Sequence, residues 1–169
     1  DWKSQIDEWI AETGNTVNSV EGGQSRAFDF VLKQNLNNAF GWTKAGDSSN
    51  NDLWNMALLA DESTLMRSNP SAAITFVDNH DTGSTQQHWE LSWFDVPVAY
   101  AYILTHPGMP CVASQHYFAE DGWQYRGAET VPGTTKTMKE HIDYLIQLRQ
   151  DLGIEYDDTV NVLVSSETN

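Results

Sequence analysis

The chain of 169 residues is long enough to bury one substantial core, and no stretch approaches the ~20 apolar residues of a membrane span. Its formal net charge of -15 argues against binding to nucleic acid or to an anionic membrane, because those partners select Lys and Arg. The same charge suits a secreted, soluble protein with a neutral ligand, and the single cysteine excludes an internal disulfide.

The apolar pattern predicts helices and strands in regular alternation, which implies a parallel sheet with right-handed crossovers. Cys111 lies in an apolar run, so we expect a buried, inert thiol. In chain order, the predicted elements are a helix over 2–13 capped by Gly14, a strand over 26–30, helices over 31–41 and 53–66, a strand over 72–80, a helix over 97–105, a strand over 110–114, a long polar loop over 119–135, a helix over 135–152 ended by Gly153, and a strand beginning at 159–164.

The most informative stretch is residues 76–89, FVDNHDTGSTQQHW. An apolar run ends abruptly in Asp-Asn-His-Asp and then breaks at Thr-Gly, as a buried strand does when its end presents polar groups to a cleft. The segment closely resembles the strand-seven signature of α-amylases in glycoside hydrolase family 13. The resemblance extends over essentially the whole chain, including residues 99–111, AYAYILTHPGMPC, which are similar to helix seven leading into strand eight.

The resemblance implies an α/β fold that is the C-terminal portion of a (β/α)8 barrel. Residues 1–154 would supply about strands six to eight with their helices, and residues 155–169 the start of a C-terminal β domain. A complete barrel needs about 250 residues, so the chain is too short to close one. We therefore expect an open half-barrel with strands 28–30, 74–80 and 110–114 mutually parallel, or a barrel completed by something outside this chain.

Asp81 is the catalytic candidate. The resembled family is retaining, and its carboxylate at this position grips sugar hydroxyls and favours the protonated form of the catalytic acid, as a nearby like charge does. An isolated Asp before Thr-Gly would more simply be a turn residue, but the surrounding motif reverses that preference. His80 is expected to donate to the same hydroxyls, with a core histidine as the plainer alternative.

Three further residues are predicted to bind substrate. Gln86 can donate and accept hydrogen bonds with sugar hydroxyls, and the Trp89 indole offers an apolar face, although loop packing would also explain the tryptophan. His116 is a weaker cleft candidate, because Ser114 and Gln115 stand where relatives place an aromatic residue and an aspartate. Asp78 is instead expected to point into the packed body with hydrogen-bond partners.

These residues predict part of a retaining α-1,4-glucan hydrolase that acts on starch and maltooligosaccharides. The family's nucleophile and general acid would lie in absent strands, so the isolated chain is expected to be inactive. The alternative is a non-catalytic glucan-binding or scaffold fragment. The expected partners are the glucan and the remainder of the barrel, with no nucleic acid and no membrane. The family implies calcium, with its ligands outside this chain, and we assign no metal ligand here.

Overall fold

The computed structural model describes residues 2–17, 25–40, 55–82, 89–119 and 125–163. None of the helices in these ranges is long and apolar enough to cross a membrane. In chain order the elements are α1 (Trp2–Val17), β1 (Ala27–Phe28), α2 (Phe30–Phe40), a 3-10 turn (Met56–Ala60), α3 (Leu65–Ser68), a second 3-10 turn (Pro70–Ala72), β2 (Ala73–Phe76), α4 (Val96–Leu104), β3 (Met109–Cys111), α5 (Ser114–Tyr117) and α6 (Met138–Asp151).

The three strands form one parallel sheet in the order β1-β2-β3, so the predicted parallel arrangement is confirmed. Phe28 pairs with Ile74, which pairs with Met109, and Phe76 pairs with Cys111. Gly108 permits the tight entry into β3, because its φ is +83° and a Cβ there would lie 2.9 Å from Thr75 Cγ2. The mixed α/β architecture with a small parallel sheet is compatible with part of a barrel.

The helices cover one face of this sheet. Ala27, Ala73, Val77 and Val112 join a core whose helical members come mainly from α2, α4 and α6. Because side chains alternate along a strand, the other face is formed by five residues: Phe28, Ile74, Phe76, Met109 and Cys111. We call these five the open face. It leaves Phe28 39% and Met109 41% exposed, and Phe76 is covered by the rings of Phe28 and Phe30, each with its centroid at 5.2 Å.

The buried-thiol expectation for Cys111 is wrong, because the thiol is exposed on the open face. The strand over 26–30 is also shorter than expected. Asp29 is buried, and its carboxylate accepts a hydrogen bond from Leu32 N at 2.9 Å, so it caps α2 and ends β1 at Phe28. The same carboxylate accepts one from Met66 N at 2.8 Å and so holds the start of α3 beside α2.

The helix expected over 53–66 is replaced, within its described part, by a 3-10 turn and the short α3. Asp61 interrupts it, because its carboxylate accepts from Ser63 N at 2.8 Å and from Ser63 Oγ at 2.7 Å, a local turn that competes with helical hydrogen bonding. In the C-terminal half of the chain, the helices predicted over 97–105 and 135–152 are confirmed as α4 and α6. Gly153 ends α6 with a φ of +64°.

Three smaller expectations are corrected. Helix α1 continues through Gly14 to Val17 rather than ending there, so Gly14 is not its cap. The strand expected over 110–114 ends at Cys111, and α5 begins at Ser114. Residues 159–163 form no strand and are mostly exposed, as expected for an alternating segment that has no paired strand beside it in the described part of the chain.

Candidate functional site

The turn that carries His80 and Asp81 directly follows β2, at the carboxyl end of the sheet. Asn79 organises it, because its Oδ1 accepts hydrogen bonds from Asp81 N and Thr82 N, both at 2.9 Å. The side chains of His80 and Asp81 are 78% and 61% exposed, and His80 Nε2 lies 3.3 Å from Asp81 Oδ1. The turn therefore presents an imidazole and a carboxylate side by side to the outside.

Asp78 lies three positions before Asp81 and has the opposite environment. It is 4% exposed, and its Oδ1 accepts from Lys33 Nζ at 2.6 Å and from Thr82 Oγ1 at 3.2 Å. Burial raises the pKa of this carboxyl to about 6, while the Lys33 ammonium and the hydroxyl of Thr82 oppose the rise. The expectation of a buried, hydrogen-bonded Asp78 is confirmed, and this residue is not paired with Asp81 as acid and base.

Lys33 on α2 is fully buried, and its ammonium joins two parts of the chain. Besides Asp78, it donates to Asn37 Oδ1 at 2.8 Å. Asn37 Nδ2 in turn donates to the main-chain oxygen of Trp89 at 2.8 Å. The ammonium thus connects the end of β2 to Trp89, across an interval of the sequence that contains Gln86. Gln86 lies outside the described residues.

The Trp89 side chain borders a small cleft, together with Gln34, Asn37 and Asn38 from α2. Trp89 as a whole is 38% exposed, and its backbone has a φ of 55°, an uncommon value for a residue other than glycine. The hydrogen bond from Asn37 to its carbonyl holds the backbone in that conformation. Polar amides beside a partly exposed indole are a surface to which a polyhydroxylated ligand could hydrogen-bond and stack.

His116 in α5 lies inside the protein, with 4% of its surface exposed. Its Nδ1 is 2.9 Å from Tyr100 Oη, and Tyr100 Oη itself accepts from Ala113 N at 3.1 Å. Burial raises the pKa of the Tyr100 hydroxyl, which therefore stays protonated. Nε2 lies 3.8 Å from Asp78 Oδ2.

Burial lowers the pKa of His116 to about 3, so the imidazole is neutral. A packed histidine of this kind supports its neighbours and is not open to a cleft in this structure. Its predicted sugar contact stays a prediction, and the geometry favours a supporting role behind Asp78. The ring also packs against Trp93, with centroids 5.6 Å apart.

Calcium needs several oxygen ligands at one place. Within the described ranges no three His, Cys, Asp or Glu side chains are grouped so that they could hold a metal ion. The carboxylates in these ranges therefore do not by themselves form a calcium site.

Comparison with known proteins identifies the relatives of the chain. It is 34% identical to probable α-amylase 2 of Arabidopsis thaliana over 168 residues, which are 99% of the chain. It is also 30% identical to a glucan 1,4-α-maltotetraohydrolase of Roseateles saccharophilus over 95% of the chain. The chain is α-amylase-like. The names of these relatives indicate a glycoside hydrolase origin, and no protein-family model matches the chain.

The α-amylase-like chain spans only part of the relatives it matches. It covers 33% of the Arabidopsis protein and 23% of the maltotetraohydrolase. A barley α-amylase type B isozyme is 39% identical over 94 residues, which are 56% of the chain and 51% of that protein.

Four residues of this arrangement were not predicted from the sequence: Lys33, Asn37, Thr82 and Tyr100. A signal for Lys33 was present, because it is the only charged residue in the otherwise uncharged α2, where it stands beside the buried Leu32. A lysine within a buried helical stripe requires a partner, and Asp78, the carboxylate expected to be buried, was the candidate.

Proposed function

We propose that this chain is the C-terminal part of the catalytic (β/α)8 barrel of a retaining α-1,4-glucan hydrolase acting on starch and maltooligosaccharides. Residues 1–154 would contribute about strands six to eight, and residues 155–169 would begin a C-terminal β domain. The observation that carries the proposal is the exposed His80–Asp81 pair at the carboxyl end of β2, within a motif that resembles α-amylase strand seven.

Asp81 acts as the transition-state-stabilising carboxylate. Its exposed oxygens can accept hydrogen bonds from sugar hydroxyls, and its charge supports the protonated state of an acid supplied by the rest of the barrel. His80 donates to the same hydroxyls. Gln86 and Trp89 bind sugar further along the cleft, and the amides of α2 beside Trp89 support that placement. His116 contributes through the packing behind Asp78 unless the completed barrel exposes it to glucan.

The partners follow from the same reading. The remainder of the barrel supplies the nucleophile and the general acid, and it covers the open face. Calcium, where it is bound, takes its ligands from outside the chain. Secretion agrees with the acidic charge, although one relative is named a chloroplastic α-amylase, from Arabidopsis thaliana, so the family includes another location.

The alternative is a non-catalytic glucan-binding or scaffold protein. It is favoured by the cleft beside Trp89, where Gln34 and Asn38 border a partly exposed indole that could bind glucan without cleaving it. The mass of the natural gene product separates the two proposals. A species of 19.0 kDa with no partner chain supports the alternative, and a product about three times larger supports the hydrolase.

The hydrolase is tested by its stereochemistry. Full-length protein containing this chain is incubated with maltooligosaccharide, and proton NMR records the anomeric form of the first product. The proposal expects the α-anomer, as retention requires, and no hydrolysis by residues 1–169 alone. A β-anomer, or a full-length protein that binds glucan without cleaving it, would contradict the proposal.

A further inference from the structure

We propose that Lys33 is a positioning residue for glucan hydrolysis: its ammonium ties the His80–Asp81 turn and the Trp89 backbone to one helix. This inference rests on the proposed function. Lys33 touches neither reacting atoms nor, in our account, the glucan. It acts through Asp78 and Asn37, which it holds at 2.6 Å and 2.8 Å.

The first connection runs to the turn that carries Asp81. Lys33 fixes Asp78, and Asp78 Oδ1 accepts from Thr82 Oγ1 at 3.2 Å. The same Thr82 hydroxyl accepts from Asn79 N at 2.9 Å. Asn79 Oδ1 then accepts from Asp81 N. A continuous set of hydrogen bonds therefore leads from the buried ammonium to the backbone of the proposed catalytic carboxylate.

The second connection runs to Trp89. Asn37 lies one helical turn after Lys33, accepts from its ammonium and donates to Trp89 O. Trp89 has a backbone conformation that few residues other than glycine adopt, so a fixed partner for its carbonyl matters. Both described ends of the segment between Thr82 and Trp89 are thus anchored to α2 through one side chain.

The chemistry of the pair supports positioning over stability. Lys33 is 0% and Asp78 is 4% exposed, and removing two charges from water offsets much of their attraction. An apolar pair in place of Lys33 and Asp78 would fill the same volume with similar or better stability, but it could not hydrogen-bond to Asn37 and Thr82. An ammonium on a long stem is suited to joining two acceptors that lie on different elements.

Two variants of the full-length protein separate positioning from simple support. Lys33→Met leaves a buried carboxylate without its cation, so both folding and activity should suffer. Lys33→Met with Asp78→Asn removes both charges, keeps the volumes, and lets residue 78 still accept from Thr82. The double variant should recover most of the thermal midpoint lost in Lys33→Met, because no buried charge is left unpaired. Compared with Asp78→Asn alone, it lacks the donor that joins Asn37 to residue 78. Lys139→Met, in which an exposed ammonium on α6 is removed, is the matched control.

Steady-state kinetics on a chromogenic maltooligosaccharide supply the readout. We expect the double variant to lose about 10- to 100-fold in kcat relative to Asp78→Asn, because misplacing a group by about 1 Å has that effect on the chemical step. The KM should rise by a smaller factor, because Trp89 loses its fixed partner. Recovery of wild-type kcat together with the thermal midpoint would overturn the inference and leave Lys33 a structural residue. A kcat loss in the double variant no greater than that in Lys139→Met would also overturn the inference. The same holds if the double variant fails to fold while Asp78→Asn alone folds and keeps its kcat.

Failure of the proposed function looks different. In that case wild-type full-length protein does not cleave glucan, or Asp81→Asn keeps the wild-type rate. With an active wild type and an impaired Asp81→Asn, the difference in kcat between the double variant and Asp78→Asn alone reports on Lys33.

Discussion

Asp78 and Asp81 belong to one four-residue polar motif and have unlike environments. Asp78 is buried against Lys33, whereas most of the Asp81 side chain is exposed at the carboxyl end of the sheet. The difference arises because β2 ends at Phe76 and the chain bends at Asp81, where Asn79 Oδ1 accepts from the amides of residues 81 and 82. The carboxylate of Asp78 holds the turn through its hydrogen bond with Thr82, and the carboxylate of Asp81 is exposed on the turn.

His116 gives a residue-scale prediction for the dependence of stability on pH. Its folded-state pKa is lowered to about 3 from 6.5, mainly by burial, with the Lys33 and Arg126 charges adding to the effect. Between about pH 3 and pH 6.5, His116 is therefore protonated in the unfolded chain and neutral in the folded chain. The stability from this residue is complete above about pH 6.5 and is lost as the pH falls toward 3, by about 1 kcal/mol per pH unit.

We expect His116→Gln to flatten the fall in thermal midpoint between pH 6 and pH 4 in full-length protein. The raised pKa of Asp78 acts in the opposite direction, and Asp78 is present in both proteins, so the comparison isolates the imidazole. His80→Gln removes an exposed imidazole and serves as the control. An equally steep fall in His116→Gln and in the wild type would show that the imidazole is not held neutral by burial.

At the scale of elements, the strongly patterned pieces were predictable and the interrupted ones were not. The apolar stripe of α6, the end of this helix at Gly153 and the proline at the start of α4 are all local sequence signals, so both helices were predictable. Asp29 and Asp61 broke the predictions for β1 and for 53–66, because a single carboxylate that caps a backbone amide overrides the apolar pattern around it. The motif predicted that polar groups follow the end of β2, but Lys33 was missed because its partner lies 45 residues away.

Arg149 gives a prediction at this scale, since it fastens α6 to the entry of β3. Its guanidinium donates to the main-chain oxygens of Leu104, His106 and Gly108 at 3.3, 2.5 and 3.0 Å. Arg149→Met keeps the apolar stem and leaves three carbonyls without this donor, which should cost about 2 kcal/mol. We expect a lower thermal midpoint by several degrees, with Lys139→Met on the same helix as control. Equal midpoints for the two variants would mean that water replaces the guanidinium at no loss.

At the scale of the whole molecule, the open face is an apolar sheet surface on which no layer of helices packs in the described structure. Parallel sheets are normally covered on both faces, yet here Phe28, Met109 and Cys111 are exposed opposite the helical layer. In a barrel these residues would point to the interior and pack in layers. The proposed half-barrel explains the exposure of a thiol that the apolar sequence around it did not lead us to expect.

Cys111 reports whether that face is covered. In purified residues 1–169 the thiol should react readily with an alkylating reagent. In native full-length protein we expect the same thiol to be protected from alkylation, and in denaturant we expect it to react again. Peptide mapping with mass spectrometry measures the labelling of Cys111 in each sample. Equally fast labelling of Cys111 in both native samples would contradict a barrel interior at this position.

The most direct measurement for the central claim is the kcat of full-length Asp81→Asn on maltooligosaccharide. The amide keeps the shape of the side chain and removes the charge that supports the acid and the developing positive charge on the sugar. The account predicts a fold and a glucan affinity close to wild type, with kcat lower by roughly two to three decades, about 3–4 kcal/mol of lost transition-state stabilisation. Asp157→Asn, at an exposed aspartate beyond α6, is the control and should keep the wild-type rate. A folded Asp81→Asn enzyme with kcat unchanged would contradict the account.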